Sequence, residues 1–168
     1  MKSKGYWVFA FVVFFVQVFI LNNLTMLSPL VAPMVYIIAL LMLPIEYSQW
    51  KMLLAGVVIG AIMDLTMATP GLNTFVTLPI AIARRPLLFT LGGLSSMSNE
   101  EGIPSIKRLG VNFHRYIIVM VVLHSVLFYF MERLSFVNFG TLTLRMLCST
   151  LVSLVLDYAI IMLFIKRL

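Results

Sequence analysis

The stretch GVVIGAIMDLTMATPGLN, residues 56–73, decides how this chain is read. It sets Gly56, Gly60 and Asp64 four residues apart in an otherwise apolar run and then closes on Pro70-Gly71. Residues four apart stack along one face of a helix. Glycines at that spacing let two helix backbones approach closely in lipid. A carboxylate one turn further on is costly in lipid, so it must point at protein or water. Pro70-Gly71 cannot continue the helix and turns the chain.

The flanks are as apolar as the stretch itself. Of 168 residues, 62% are hydrophobic and 11% charged, where an ordinary soluble domain carries about 25% charged. With a mean hydropathy of +1.08, the apolar surface exceeds what a soluble core of this size needs. The composition implies an all-α integral membrane protein, residues 1–168 forming a single transmembrane domain in the lipid bilayer. The one cysteine, Cys148, excludes an internal disulfide and a cysteine-rich metal site, and reads as a packing residue. A net charge of +6 and a pI of about 9.8 reflect membrane topology rather than nucleic acid. Cytoplasmic loops collect Lys and Arg, and basic patches interleaved with aromatics are missing.

Apolar runs predict six spans, at about 5–21, 29–43, 50–67, 72–83, 116–131 and 141–165. Lys2 and Lys4 precede a run without a small-residue cleavage pattern, so the first span is expected to stay uncleaved. Within it, Gln17 is expected to hydrogen-bond a neighbouring helix, and Asn22-Asn23 to end it. Pro29 opens span two and Pro44 closes it. Span four is short, interrupted by Pro79 and bounded by Arg84-Arg85-Pro86, which suits either a full span starting in the Pro70-Gly71 turn or a kinked, re-entrant one. The polar stretch at about 91–112 reads as a cytoplasmic loop, either a solvated linker or a partner-binding segment.

Six spans put both termini on one side. Assigning that side to the cytoplasm places Lys2, Lys4, Lys51, Arg84, Arg85, Lys107, Arg108, Arg115, Lys166 and Arg167 inside, and only Arg133 and Arg145 outside. The outer loops are then short, at 22–28, 68–71 and 132–140.

Span six carries a polar stripe, Thr141, Arg145, Ser149, Ser153 and Asp157, facing the bundle interior or a neighbouring copy in a homo-oligomer. Counting rise per residue puts Asp64 and Arg145 at similar depth, so an ion pair between them is expected; Asp157 needs an inner-side partner among Arg84, Arg85 and Arg115. The same count separates Asp64 from Asp157 by more than ~10 Å, too far for a peptidase-type aspartyl dyad. His124 aligns with Tyr116, Met120 and Phe128 and reads as a hydrogen-bonding packing residue. No nucleophile, phosphate-binding or zinc motif occurs, and neither an enzyme activity nor a cofactor or metal is expected.

The chain resembles the MreD family, the small integral membrane subunit of the bacterial rod-shape complex. The resemblance rests on the length, the six-span layout with basic ends, the run from Gly56 through Gly60 to Asp64-Leu65 leading to Pro70-Gly71, and Gln17 with Asn22-Asn23. It implies a non-enzymatic scaffold in the bacterial cytoplasmic membrane that accompanies an MreC-like bitopic protein. Such a scaffold works with MreB, the glycosyltransferase RodA and a class B penicillin-binding protein in lateral cell-wall synthesis. The family is also similar in fold to the substrate-binding subunits of energy-coupling-factor transporters, which implies the alternative of a vitamin-type small-molecule binder. A scaffold would offer a partner helix either the Gly56–Gly60 stripe or the Phe-rich face of span one.

Overall fold

The computed structural model describes residues 3–23, 31–92, 102–132 and 139–165. Among these, every regular element is helical. α1, Ser3–Phe15, runs on without a break into a π-turn, Val16–Leu21. There follow α2 (Ile37–Leu41), α3 (Gln49–Met67), α4 (Leu72–Gly92), α5 (Ile106–Leu109), α6 (Asn112–Glu132) and α7 (Phe139–Ile165). Four of these, α3, α4, α6 and α7, are long and apolar enough to cross a membrane, and the apolar part of α1, Gly5–Leu21, is shorter. The chain is thus an all-α, multi-pass membrane protein. The loop residues 24–28, 93–101 and 133–138 and the basic residues Lys2, Arg133, Lys166 and Arg167, like Pro29, lie outside the described residues.

α3 and α4 form a tight antiparallel hairpin, and α6 packs between α4 and α7. Through the middle runs the segment 31–43, and its residues from Ala32 to Leu43 are all buried. Side-chain contacts give its direction. Tyr6 and Gln17 of the first helix bond to Ala39 and Pro33, an antiparallel pairing. Ser149 and Ser153 of α7 meet Ala32 and Met34, a parallel one. Tyr129 and Tyr116 of α6 bond to Ala32 and Leu41, again antiparallel. The first helix and α6 therefore run antiparallel to the segment, and α7 runs parallel to it.

Three boundaries differ from those expected. The helix expected over 29–43 is absent from its described part: residues 31–35 are non-helical, and only Ile37–Leu41 make a short helix. Pro33 is the cause, because it removes a backbone donor and pushes Ala32 out of the helical region. Span four does not stop at Ala83 but runs to Gly92, straight through Pro79 and Pro86. A proline inside a helix costs about 3 kcal/mol, and the packing of α4 against both α3 and α6 offsets it. Finally, the end of the stretch 91–112 is folded rather than solvated. Ile45 donates its N–H to Gly102 O at 2.8 Å, Gly102 donates to Glu46 Oε2 at 2.6 Å, and Ile103 is buried. Helix α6 then begins at Asn112, whose side chain bonds Leu91 O at 2.7 Å.

Candidate functional site

The glycine–aspartate face of α3 turns inward onto α4. A Cβ on Gly60 would lie 2.4 Å from Thr74 Cα and 2.8 Å from Thr74 N, so the two backbones are in contact there. At Gly56 the nearest atom to a Cβ would be Ala81 Cβ at 3.2 Å, a looser fit. The Thr77 hydroxyl donates to Gly56 O at 2.9 Å and ties the hairpin at this point.

One turn further on, Asp64 caps α4 from the outside. Its Oδ1 accepts from Asn73 N (2.8 Å), Asn73 Nδ2 (3.1 Å) and Thr69 Oγ1 (2.8 Å). Its Oδ2 accepts from Thr74 N (2.9 Å) and Thr74 Oγ1 (2.7 Å). The first N–H groups of a helix lack partners within it and carry partial positive charge, so a carboxylate is the favoured cap. Here the cap comes from the preceding helix across the Pro70-Gly71 turn, and Ala68, at φ 53°, makes the left-handed step that starts that turn.

The expected pair of Asp64 with Arg145 does not form. Arg145 instead meets Glu132 at 3.6 Å and lies over the Tyr129 ring, 5.7 Å from its centroid. The equal-depth argument failed because Asp64 had nearer donors in the α4 N-terminus than any side-chain cation. Nor does Asp157 pair with an arginine. It is wholly buried, and neither of its carboxyl oxygens has a hydrogen-bond partner. Arg84, also buried, donates instead to the carbonyls of Leu41 (3.3 Å) and Leu43 at the C-terminal end of α2. A cation there opposes the negative end of the short helix. Arg85 lies over Phe89, 5.5 Å from the ring centroid, and Arg115 Nη1 reaches Asn112 Oδ1 at 3.4 Å.

The remaining polar side chains of the spans converge on the segment 31–43. In the non-helical residues 32–35, backbone groups of successive residues turn to opposite sides. On the α7 side, Ala32 N–H donates to Ser149 Oγ and Met34 N–H to Ser153 Oγ, both at 2.9 Å. On the α1 side, Gln17 Nε2 donates to Pro33 O (3.2 Å) while its Oε1 accepts from Val35 N (2.7 Å). Gln17 stands within the π-turn, which widens the helix where its amide must reach sideways. Tyr6, Tyr116 and Tyr129 donate to Ala39, Leu41 and Ala32 carbonyls at 2.7, 3.0 and 3.1 Å. Non-helical backbone at membrane depth survives only when protein satisfies it, and here side chains from four helices, Arg84 of α4 included, do so.

Asp64 and His124 are ends of one buried chain of hydrogen bonds. Asn73 Nδ2 donates to Asp64 Oδ1, which leaves Asn73 Oδ1 as an acceptor for the Tyr36 hydroxyl at 2.9 Å. The phenol's single proton is then used, so His124 Nε2, 2.9 Å away, donates to the phenol oxygen. Every donor points toward the carboxylate, an arrangement in which successive bonds polarise one another. His124 Nδ1 is left without a partner. Beside the α3–α4 turn, an open groove of about 700 Å³ is lined by Asp64, Thr69, Pro70 and Thr74. Both oxygens of Asp64 are already engaged in the α4 cap. Among the described residues no three His, Cys, Asp or Glu side chains gather to hold a metal.

Sequence reasoning did not find Tyr36, Asn73 or the capping threonines, nor the role of Arg84 as a buried cap. Pro33 was the available signal for the broken segment, and Thr69, Asn73 and Thr74 just after the Pro-Gly turn were the signal for the cap. No family model, curated protein or solved structure matches the chain.

Proposed function

We propose that this chain is a non-enzymatic scaffold subunit of the MreD kind, crossing a bacterial cytoplasmic membrane six times with both termini in the cytoplasm. The observation that carries the reading is the filled interior. Where a carrier would keep a binding cavity, the centre of this bundle holds its own segment 31–43, buried along its length and bonded on both sides. The directions of α1, α6 and α7 relative to the segment, and the ten-to-two division of basic residues, support six crossings and this orientation.

With the Gly56–Gly60 stripe consumed by α4, the partner surface is the outer face of α1. Trp7, Phe11, Phe15 and Phe19 recur there at steps of four, all exposed, with Phe15 and Phe19 rings 4.7 Å apart. A ladder of aromatic rings gives a second transmembrane helix a wide dispersion surface. The partner is an MreC-like bitopic protein, through which the subunit joins MreB, RodA and a penicillin-binding protein. The scaffold role requires no cofactor.

Affinity purification of the full chain from native membranes tests this. An MreC-like protein should co-purify, and Phe11→Ala with Phe15→Ala should release it while the melting temperature stays unchanged. Recovery of the chain with a bound vitamin-type molecule and no such partner would replace the scaffold with a small-molecule binder.

A further inference from the structure

Three inward-facing residues fix one level of the bundle. Arg84 of α4 and Tyr116 of α6 both donate to Leu41 O, at 3.3 and 3.0 Å, and Arg84 Nη1 reaches Met52 Sδ of α3 at 3.6 Å. Each has an exposed cation as its neighbour in the chain: Lys51 before Met52, Arg85 after Arg84, Arg115 before Tyr116. Consecutive residues of a helix differ by only about 1.5 Å in height but by about 100° in direction. The buried three turn inward, and their exposed neighbours turn outward. Lys51, Arg85 and Arg115 therefore stand at one level on the outer faces of three helices.

Each cation also ends an exposed apolar stripe on its own helix. On α3, Leu54 and Val58 follow Lys51 at helical spacing; on α4, Ile82 precedes Arg85; on α6, Ile118 and Val122 follow Arg115. Such stripes meet acyl chains, so the cations sit where tails give way to headgroups. Their local contacts steady them without neutralising them. Lys51 Nζ lies 5.6 Å from the Tyr47 ring centroid, Arg85 Cζ lies 5.5 Å from that of Phe89, and Arg115 Nη1 lies 3.4 Å from Asn112 Oδ1. Among the described residues none of the three meets a carboxylate at ion-pair distance. The acidic groups near this level are engaged or hidden: Glu46 Oε2 accepts the Gly102 N–H at 2.6 Å, and Asp157 is wholly buried.

We propose that Lys51, Arg85 and Arg115 hold the headgroups of anionic phospholipids, selecting them over zwitterionic ones. Both lipid classes carry a phosphate. In the zwitterionic class an ammonium group offsets that charge, so the cations favour the headgroup that is net negative. Exposed Lys107 and Arg108 on α5, which packs against the start of α6, add to the positive field. A lipid rather than an acidic protein is the occupant, because the three cations are spread over the lipid-facing stripes of separate helices instead of gathered on one face. The inference does not rest on the scaffold reading, whose partner surface is on α1.

Trp50, 81% exposed beside Lys51, is a built-in reporter. The full chain with Trp7→Phe keeps Trp50 as its one tryptophan. It is reconstituted in phosphatidylcholine vesicles containing a minor fraction of brominated lipid, either phosphatidylglycerol or phosphatidylcholine. Brominated phosphatidylglycerol should quench Trp50 more strongly, with a local enrichment of about fivefold at low salt. The excess should shrink as NaCl is raised, and Lys51→Gln should remove it. For the whole set, the unmutated chain in detergent is titrated with either lipid, both with the same acyl chains, and its melting temperature followed. Phosphatidylglycerol should raise it further than phosphatidylcholine, and the triple variant Lys51→Gln, Arg85→Gln, Arg115→Gln should erase the difference. If the triple variant does not fold, the quenching of Trp50 with and without Lys51→Gln decides alone. Equal quenching by the two lipids, an excess that salt does not reduce, or variants that keep the parent's preference would overturn the proposal and leave these cations to an acidic protein surface.

Discussion

Asp64 illustrates how one residue serves the end of another helix. Its two oxygens take all five donors offered by Thr69, Asn73 and Thr74, so Asp64→Ala should lower stability by about 2–3 kcal/mol, read as a drop in melting temperature in detergent. Because Arg145 belongs to Glu132 and Tyr129 instead, exchanging the two charges should give no rescue. The double variant Asp64→Arg with Arg145→Asp should melt no higher than the sum of the single effects allows, as expected for sites that share no partner. A recovery would restore the direct ion pair. Next along the chain, Ala68 adopts a left-handed conformation at φ 53°, strained for any side chain. Ala68→Gly should relieve that strain and raise stability by up to about 1 kcal/mol; a fall on the same assay would contradict the turn geometry.

Two elements depend on close backbone contact for different reasons. In the α3–α4 hairpin the contact is steric. Gly60→Ala drives a methyl into the Thr74 backbone and should cost about 1–3 kcal/mol, whereas a methyl at Gly56 comes no nearer than 3.2 Å to any neighbour, Ala81 Cβ being the closest, and should cost much less. Equal losses in the two variants would mean that the stripe faces something other than α4. In the segment 31–43 the contact is one of hydrogen bonding. Gln17→Leu strands Pro33 O and Val35 N in the core, and each unsatisfied group costs about 1–3 kcal/mol. Hydrogen exchange provides the readout: the amides of Ala32, Met34 and Val35 should be protected as well as those of a helix, and Gln17→Leu or Ser153→Ala should expose them. The composition of this segment fits a continuous helix as well as a broken one. From Met34 to Leu43 it is uniformly apolar, and such a run is the same in a buried helix and a buried strand; Pro33 alone marked the difference.

At the scale of the molecule, the proposed six passes require the α3–α4 turn and α5 to lie on opposite sides of the membrane. With Cys148→Ala as background, Pro70→Cys should react with an impermeant maleimide from outside intact cells, and Lys107→Cys only after permeabilisation. Labelling of both from the same side would overturn the six-pass arrangement. Gln17, Ser149 and Ser153 stand out as polar residues in apolar spans; that all three serve one stretch of backbone does not show in the sequence. A polar residue in lipid announces that it needs a partner, but its spacing on one helix cannot say whether that partner is a side chain or a stretch of bare backbone from a distant part of the chain.

The amino-acid sequence alone determined that this is a helical membrane protein, where α3 lies and that it turns at Pro70-Gly71, because hydropathy and helix-stopping residues act locally. Only the tertiary structure decided that Asp64 caps α4, that Arg84 caps the short core helix, and that Asp157 is left without a partner. Those outcomes depend on which donors and acceptors come within about 3 Å across the bundle, a distance set by the packing of all the passes together.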